Sequence, residues 1–335
     1  MDDASPPRRR TAPLTADERR HLWWAVPPLA VLLAANLLFE LAGGGYARVA
    51  AQLLATSRTE GEIVRDAVHA AGAISWATLA LVYFCVSVGA TVGAWRILNE
   101  RVGGQARRPF MLFVTGVLLL GLLHLIVADL TEASLRAIFA VTFDALSTSP
   151  SAMFAPVGVI GAIVAFINVM SVFVPALLLT AAAASALPPL AGWNETTLAR
   201  RALQVRHIVA LAAAFMVAGV LHMGAWTHWA GATLTADADA ALDQVAVAVT
   251  LFWGTTFTLM IASFYLPVAV RLGELAETTM NEAGIAIPDR PKWLADRGLS
   301  FRLSEQLPQI AAMAAPLLAG PLSAAIGAFA DGVVR

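Results

Sequence analysis

The chain is poor in reactive and charged side chains. Of its 335 residues, one is cysteine and 13% are Asp, Glu, Lys or Arg. The lone Cys85 excludes an intrachain disulfide and any metal site built from several cysteines. The one lysine, Lys292, does not follow a glycine-rich loop, so no P-loop for a nucleotide is present. The formal net charge of −1 argues against nucleic acid as a partner.

Motifs of the common enzyme classes are absent as well. The sequence contains no His-Glu-x-x-His or Cys-x-x-Cys zinc motif, no Cys-x-x-Cys-His haem attachment site and no Gly-x-Ser-x-Gly nucleophile elbow. These absences leave an enzymatic activity undecided and favour a role without catalysis.

Apolar sequence, in contrast, is abundant, at 59% of the residues. The charged residues collect between long apolar runs, whereas roughly a quarter of the residues are charged in ordinary soluble domains. A helix that spans a bilayer needs about 20 mostly apolar residues, because lipid offers its backbone no hydrogen-bond partners. Six stretches meet this requirement: Leu22 to Leu41, Ile74 to Leu98, Phe110 to Ala128, Val157 to Leu187, Ile208 to Trp229 and Val245 to Val270. The predicted fold class is an all-α, polytopic transmembrane helical bundle with about six spanning helices.

The basic residues predict the orientation of the bundle. Most of them lie before the first span, between spans two and three, between spans four and five, or after the sixth. Cytoplasmic loops carry an excess of basic residues, so both termini are expected in the cytoplasm of a cell with a bacterial-type inner membrane. The predicted regions are a basic tail at 1–20, a transmembrane domain at 21–271 and a cytoplasmic segment at 272–335. A signal peptide is the alternative for the first run, which is long for that purpose.

The stretch from Ile310 to Val334 is apolar but interrupted by Pro316, Gly320 and Pro321. It could form a seventh span, a helix lying on the membrane surface or a docking segment. Two prolines in a run of barely sufficient length favour a broken, non-spanning helix on the cytoplasmic side.

The spans show weak internal similarity. Gly121-Leu122-Leu123-His124 in the third resembles Gly219-Val220-Leu221-His222 in the fifth. Likewise, Ser171 and Pro175 in the fourth resemble Ser263 and Pro267 in the sixth. This pattern suggests three tandem helical hairpins. Chance similarity among apolar helices is the alternative, because sequences drawn from few residue types match one another easily.

Histidines give the main chemical hypothesis. His124 and His222 lie late in the third and fifth spans, with His69 and His228 also near the predicted outer face. Imidazole is a common ligand of metals and of haem iron, so His124 and His222 could hold a haem or metal ion between two helices. The alternative is that interfacial histidines place an apolar body in lipid and a polar tip in water. No cofactor is firmly predicted.

Three functions stay open at this point. The first is a scaffold or accessory subunit that contacts another membrane protein or a second copy through small-residue faces such as Gly89 to Gly93. The second is a transporter or channel whose pathway includes Asn168, Thr255 and Ser263, the polar residues of otherwise uncharged spans. The third is the haem- or metal-binding protein described above.

Overall fold

Long α-helices make up nearly all of the described chain. This computed structural model describes residues 29, 62–101, 104–130, 140, 142–143, 157–187, 193–231, 236–299 and 303–334. These ranges contain no strand, and a 3₁₀ turn, Ile287–Asp289, precedes α6. The main helices are α1 (Glu62–Arg101), α2 (Gly104–Leu130), α3 (Val157–Ser185), α4 (Glu195–Gly231), α5 (Ala236–Glu282), α6 (Arg290–Asp296) and α7 (Leu303–Val334).

Four helices in the described part are long and apolar enough to cross a membrane. They are Ser75–Glu100, Ile160–Ser185, Glu195–Gly231 and Ala240–Glu282, which match the second, fourth, fifth and sixth predicted spans. The third prediction falls within α2, but its described apolar stretch, Met111–His124, is shorter than a span. The first prediction lies outside the described residues except for Leu29, which packs against the core. The described part of the chain is thus all-helical with the helices of a membrane protein, and the count of six stays a prediction.

The ends of α1 and α3 meet the start of α4, so α4 runs opposite to both of these helices. At the start of α4, Arg200 Nη2 lies 2.7 Å from Glu100 Oε2 at the end of α1. Beside it, Arg201 donates hydrogen bonds to the carbonyl oxygens of Ala184 and Leu187, at 3.3 and 3.0 Å, where α3 ends. Arg206 donates to the carbonyl oxygen of Gly298, which follows α6. We call this the arginine-rich end of the bundle, in keeping with the clustering of basic residues that the sequence predicts.

The half of α3 nearest the arginine-rich end forms the centre of the core. Every residue from 174 to 187 is buried, so this part of the helix has no lipid-facing side. A helix that is apolar all round belongs in the interior of a bundle. Its few hydroxyls are satisfied locally: Thr180 and Ser185 donate to the carbonyl oxygens of Ala176 and Ala181, at 2.7 and 3.0 Å.

The start of α4 is fixed by a reciprocal cap and by contacts with α6. The backbone amide of Thr197 donates to Asn194 Oδ1 at 2.9 Å, and the amide of Asn194 donates to Thr197 Oγ1 at 3.0 Å. This pairing satisfies two amides that a helix start leaves free. Glu195 then accepts hydrogen bonds from Trp293 Nε1, at 3.2 Å, and from Arg297, whose guanidinium stacks 4.2 Å from the Trp293 ring. These contacts attach α6 to the arginine-rich end.

The C-terminal helix differs from the broken segment that the sequence predicts. α7 is a continuous helix of 32 residues that contains Pro308, Pro316 and Pro321. It leaves the arginine-rich end and packs along α4 and α5. The backbone of Pro316 and Leu317 lies so close to Gly254 that a Cβ atom there would be 3.1 Å from Leu317 Cα. Close packing on two neighbours therefore holds the helix together despite its prolines, and the extent of the cytoplasmic segment stays a prediction.

The glycines of the two similar histidine motifs, Gly121 and Gly219, pack in different ways, and the repeat of three hairpins stays a prediction. Gly121 of α2 packs against Val172 of α3, within its own predicted hairpin. The matching Gly219 of α4 instead faces Tyr83 of α1, outside its predicted hairpin. The two similar motifs thus occupy different environments.

Candidate functional site: a cavity inside the bundle

A cavity of about 150 Å³ lies between α1, α3, α4 and α5. None of the described residues that line it is charged. Its walls are formed by Tyr83, Val164, Ile167, Asn168, Ser171, Phe215, Met216, Gly219, His222, Met223, Trp253 and Phe257. Mostly apolar walls with a few polar groups are typical of small-molecule sites.

Aromatic rings form much of the wall. The rings of Tyr83 and Phe215 lie 5.1 Å apart, and those of Trp253 and Phe257 lie 5.7 Å apart. These separations fall within the range in which aromatic pairs attract one another. Gly219 leaves space beside Tyr83, because a Cβ atom at that position would lie 3.6 Å from the Tyr83 ring. The cavity therefore exists partly because position 219 carries no side chain.

Polar groups reach the cavity from all four helices, with the Tyr83 hydroxyl on α1, which donates to the carbonyl oxygen of Ile167 at 3.5 Å, and the Trp253 indole on α5. His222 of α4 is only 3% exposed, and its Nε2 atom is buried without a hydrogen-bond partner among the described residues. On α3, Ser171 donates to the carbonyl oxygen of Asn168 at 2.6 Å. Because Ser171 lines the cavity and is also exposed, the cavity reaches the surface of the bundle beside α3.

The rings of Trp76 and Tyr83 flank His222. The Trp76 ring of α1 lies 6.0 Å from the imidazole of His222, and Tyr83 lies at the same distance. Trp76 also packs against Trp226 and Trp229 of α4, at 5.5 and 5.3 Å. All three indoles are buried, so the Trp76 ring beside the imidazole is itself closely packed.

The structure separates the predicted histidine ligands. His222 lines the cavity, whereas His124 is exposed on α2, which packs mainly on α3. His228 Nδ1 lies 2.8 Å from Asp243 Oδ1 of α5, and His69 lies on α1 before its apolar part. Within the described ranges, no three His, Cys, Asp or Glu residues are grouped as a metal site would require. A volume of about 150 Å³ also holds a single ring rather than a porphyrin.

The predicted pathway residues are separated in the same way. Asn168 lines the cavity, but Thr255 is exposed and donates to the carbonyl oxygen of Leu251 on its own helix, at 2.8 Å. Ser263 donates to the carbonyl oxygen of Met260 at 2.7 Å and is not among the cavity residues. Of the candidate residues that the sequence suggested, Asn168 and His222 line this cavity. The sequence carried no signal for the aromatic walls.

The described residues form an all-helical bundle with the long apolar helices of a membrane protein and a cavity among them. The chain matches no protein-family model, no curated protein sequence and no solved structure.

Proposed function

We propose that this chain is a multi-pass inner-membrane protein that binds a small, mainly apolar molecule in the cavity between α1, α3, α4 and α5. The observation that carries the proposal is the cavity itself, since helix bundles otherwise pack to high density. Its aromatic walls favour a ring-shaped ligand, and its mouth beside α3 gives access from the lipid.

This proposal is closest to the transport hypothesis, because a site within the bundle can both hold and pass on a lipid-soluble molecule. It narrows the predicted pathway to Asn168, which lines the cavity, and leaves Thr255 and Ser263 outside it. The hypothesis of a haem between His124 and His222 gains no support from a cavity lined by only one of them.

A role as a scaffold or accessory subunit is a second candidate. Gly89 of α1 and Gly116 of α2 face open space, with nothing within 4 Å of a Cβ atom at either position. Glycines on a membrane helix allow another helix to approach closely, which would suit a partner protein or a second copy. Cross-linking in native membranes tests this role, and a chain that stays monomeric there would contradict it.

The cavity proposal predicts that a side chain at position 219 abolishes ligand binding. Gly219→Leu should fill the space beside Tyr83, whereas Gly116→Leu adds the same side chain in open space. The probe is fluorobenzene, and its binding to the purified protein in lipid nanodiscs is followed by ¹⁹F NMR. We expect a saturable bound signal for the unaltered chain and for Gly116→Leu, and none for Gly219→Leu. Equal signals in all three proteins would show that the probe resides only in the lipid.

For topology, we propose that the arginine-rich end faces the cytoplasm and that α7 crosses the membrane. Helix α7 reaches Gly320 where it passes Thr250 of α5, and it continues to Val334. The described apolar stretch of α7, Leu307–Leu322, is shorter than a span, but the whole helix of 32 residues extends roughly 48 Å at about 1.5 Å per residue, which exceeds the apolar thickness of a bilayer. This arrangement takes up the alternative of a seventh span and differs from the sequence-based expectation that both termini are cytoplasmic, which stays a prediction.

The topology is tested by cysteine labelling in a Cys85→Ser chain, which lacks cysteine altogether. A membrane-impermeant maleimide applied to intact spheroplasts should label Val334→Cys and should label Glu282→Cys only after the membrane is permeabilised. If Val334→Cys also requires permeabilisation, α7 does not cross and the sequence-based topology is correct.

A further inference from the structure

The imidazole of His222 lies inside the bundle with a nitrogen that has no protein partner. The residue is 3% exposed, and Nε2 finds no hydrogen bond within the part of the chain that is described. Buried polar atoms are nearly always paired, so each exception needs an explanation. Because His222 lines the cavity, a molecule bound there could supply the missing partner.

The volume and walls of the cavity limit what that molecule can be. A cavity of about 150 Å³ matches the space in which an apolar protein interior accommodates benzene. The rings of Tyr83, Phe215 and Trp253 offer edge and face contacts to a planar ring. A neutral ring is favoured, since no described lining residue carries a formal charge and a buried ion without a partner is strongly disfavoured.

The hydrogen-bonding group of the ligand follows from imidazole chemistry. A neutral histidine carries its proton on one of two nitrogens, so Nε2 is either a donor or an acceptor. A hydroxyl can act as donor or acceptor and therefore satisfies both forms, whereas a carbonyl satisfies only one. We propose that the cavity binds the ring of a lipid-soluble phenol, whose hydroxyl is hydrogen-bonded to Nε2 of His222. This inference rests on the proposed function and adds the chemical class of the ligand.

The position of the cavity mouth at Ser171 indicates what the ligand carries outside its ring. Ser171 is exposed on α3, within the stretch Ile160–Ser185 that is long and apolar enough to cross a membrane. A group that leaves the cavity at this point enters the hydrocarbon of the bilayer. The natural ligand is therefore a phenol with an aliphatic substituent that extends past Ser171 into the lipid.

The test compares 4-fluorophenol with fluorobenzene, which lacks the hydroxyl, in the same ¹⁹F NMR titration of the full chain in nanodiscs. The measured quantity is the ratio of the two affinities in each variant, because partition into lipid then cancels between variants. The ratio of the 4-fluorophenol affinity to the fluorobenzene affinity should be about fivefold higher in the unaltered chain than in His222→Phe, because His222→Phe removes one hydrogen bond to the phenol. In His222→Gln, which retains a polar side chain, the ratio should lie between those two values.

The outcomes separate the two proposals. Loss of the phenol preference in His222→Phe, with fluorobenzene still bound, supports the inference. An unchanged ratio in His222→Phe overturns it and leaves the proposed function standing. If His222→Phe binds neither probe, the His222→Gln ratio decides: a ratio below that of the unaltered chain supports the hydrogen bond to His222, and a ratio equal to that of the unaltered chain overturns it. Failure of both probes to saturate the unaltered chain contradicts the proposed function, and the inference with it.

Discussion

Replacing Gly254 by alanine should lower the free energy of unfolding by about 1 to 3 kcal/mol, the usual range for overpacking a core. The added Cβ atom would collide with the carbonyl oxygen of Pro316 and lie 3.0 Å from its carbonyl carbon. Both atoms belong to the backbone of α7, so no side-chain rotation can relieve the contact. Alanine favours an isolated helix over glycine by about 1 kcal/mol, and the collision should outweigh that gain.

The matched control for this variant is Gly89→Ala on α1, where a Cβ atom meets nothing within 4 Å. It should leave stability unchanged or raise it slightly, because only the helix preference acts there. Unfolding by sodium dodecyl sulfate, followed by circular dichroism, measures both variants. Equal stability of the two would mean that α7 does not pack on Gly254, and the topology proposed for α7 would lose its main support.

Replacing Arg201 by methionine should lower the free energy of unfolding by about 1.5 to 3 kcal/mol, the range for hydrogen bonds from charged groups. Arg201 is 2% exposed and donates to two carbonyl oxygens at the end of α3, those of Ala184 and Leu187. A cation near the C-terminus of a helix is also favoured by the helix dipole. Methionine keeps an apolar stem of similar length but leaves the carbonyl of Leu187 without this donor.

The adjacent Arg200 offers a control of the same type on the same turn. Its side chain is 59% exposed and pairs with Glu100 at the surface, an interaction worth about 0 to 1 kcal/mol. Arg200→Met should therefore change stability little in the same unfolding measurement. If Arg201→Met were equally mild, the cost of burying the Arg201 charge would cancel its hydrogen bonds, and this residue would not hold the end of α3 in place.

The comparison of Asn168 with Thr255 shows why only part of the site was predictable. Both are polar residues of apolar spans, and nothing in their sequence context distinguishes them. In a soluble helix, the apolar stripe identifies the face that packs inward. In lipid, the outward face is apolar as well, so that signal is lost and residues such as Leu112 of α2 lie exposed at 71%. The sequence could nominate Asn168 and His222 but could not separate them from Thr255 and His124.

The sequence by itself predicted a helical membrane protein with six spans and with its basic residues gathered on one side, and four of those spans are long apolar helices in the described part of the chain. Backbone hydrogen bonds need internal partners in lipid, and that requirement leaves a readable pattern of run lengths and charges. Only the tertiary structure decided which helix faces meet, that α7 stays continuous beside Gly254, and that a cavity opens next to His222. These features depend on the shapes of side chains that come together from distant parts of the chain, and apolar composition alone does not encode them.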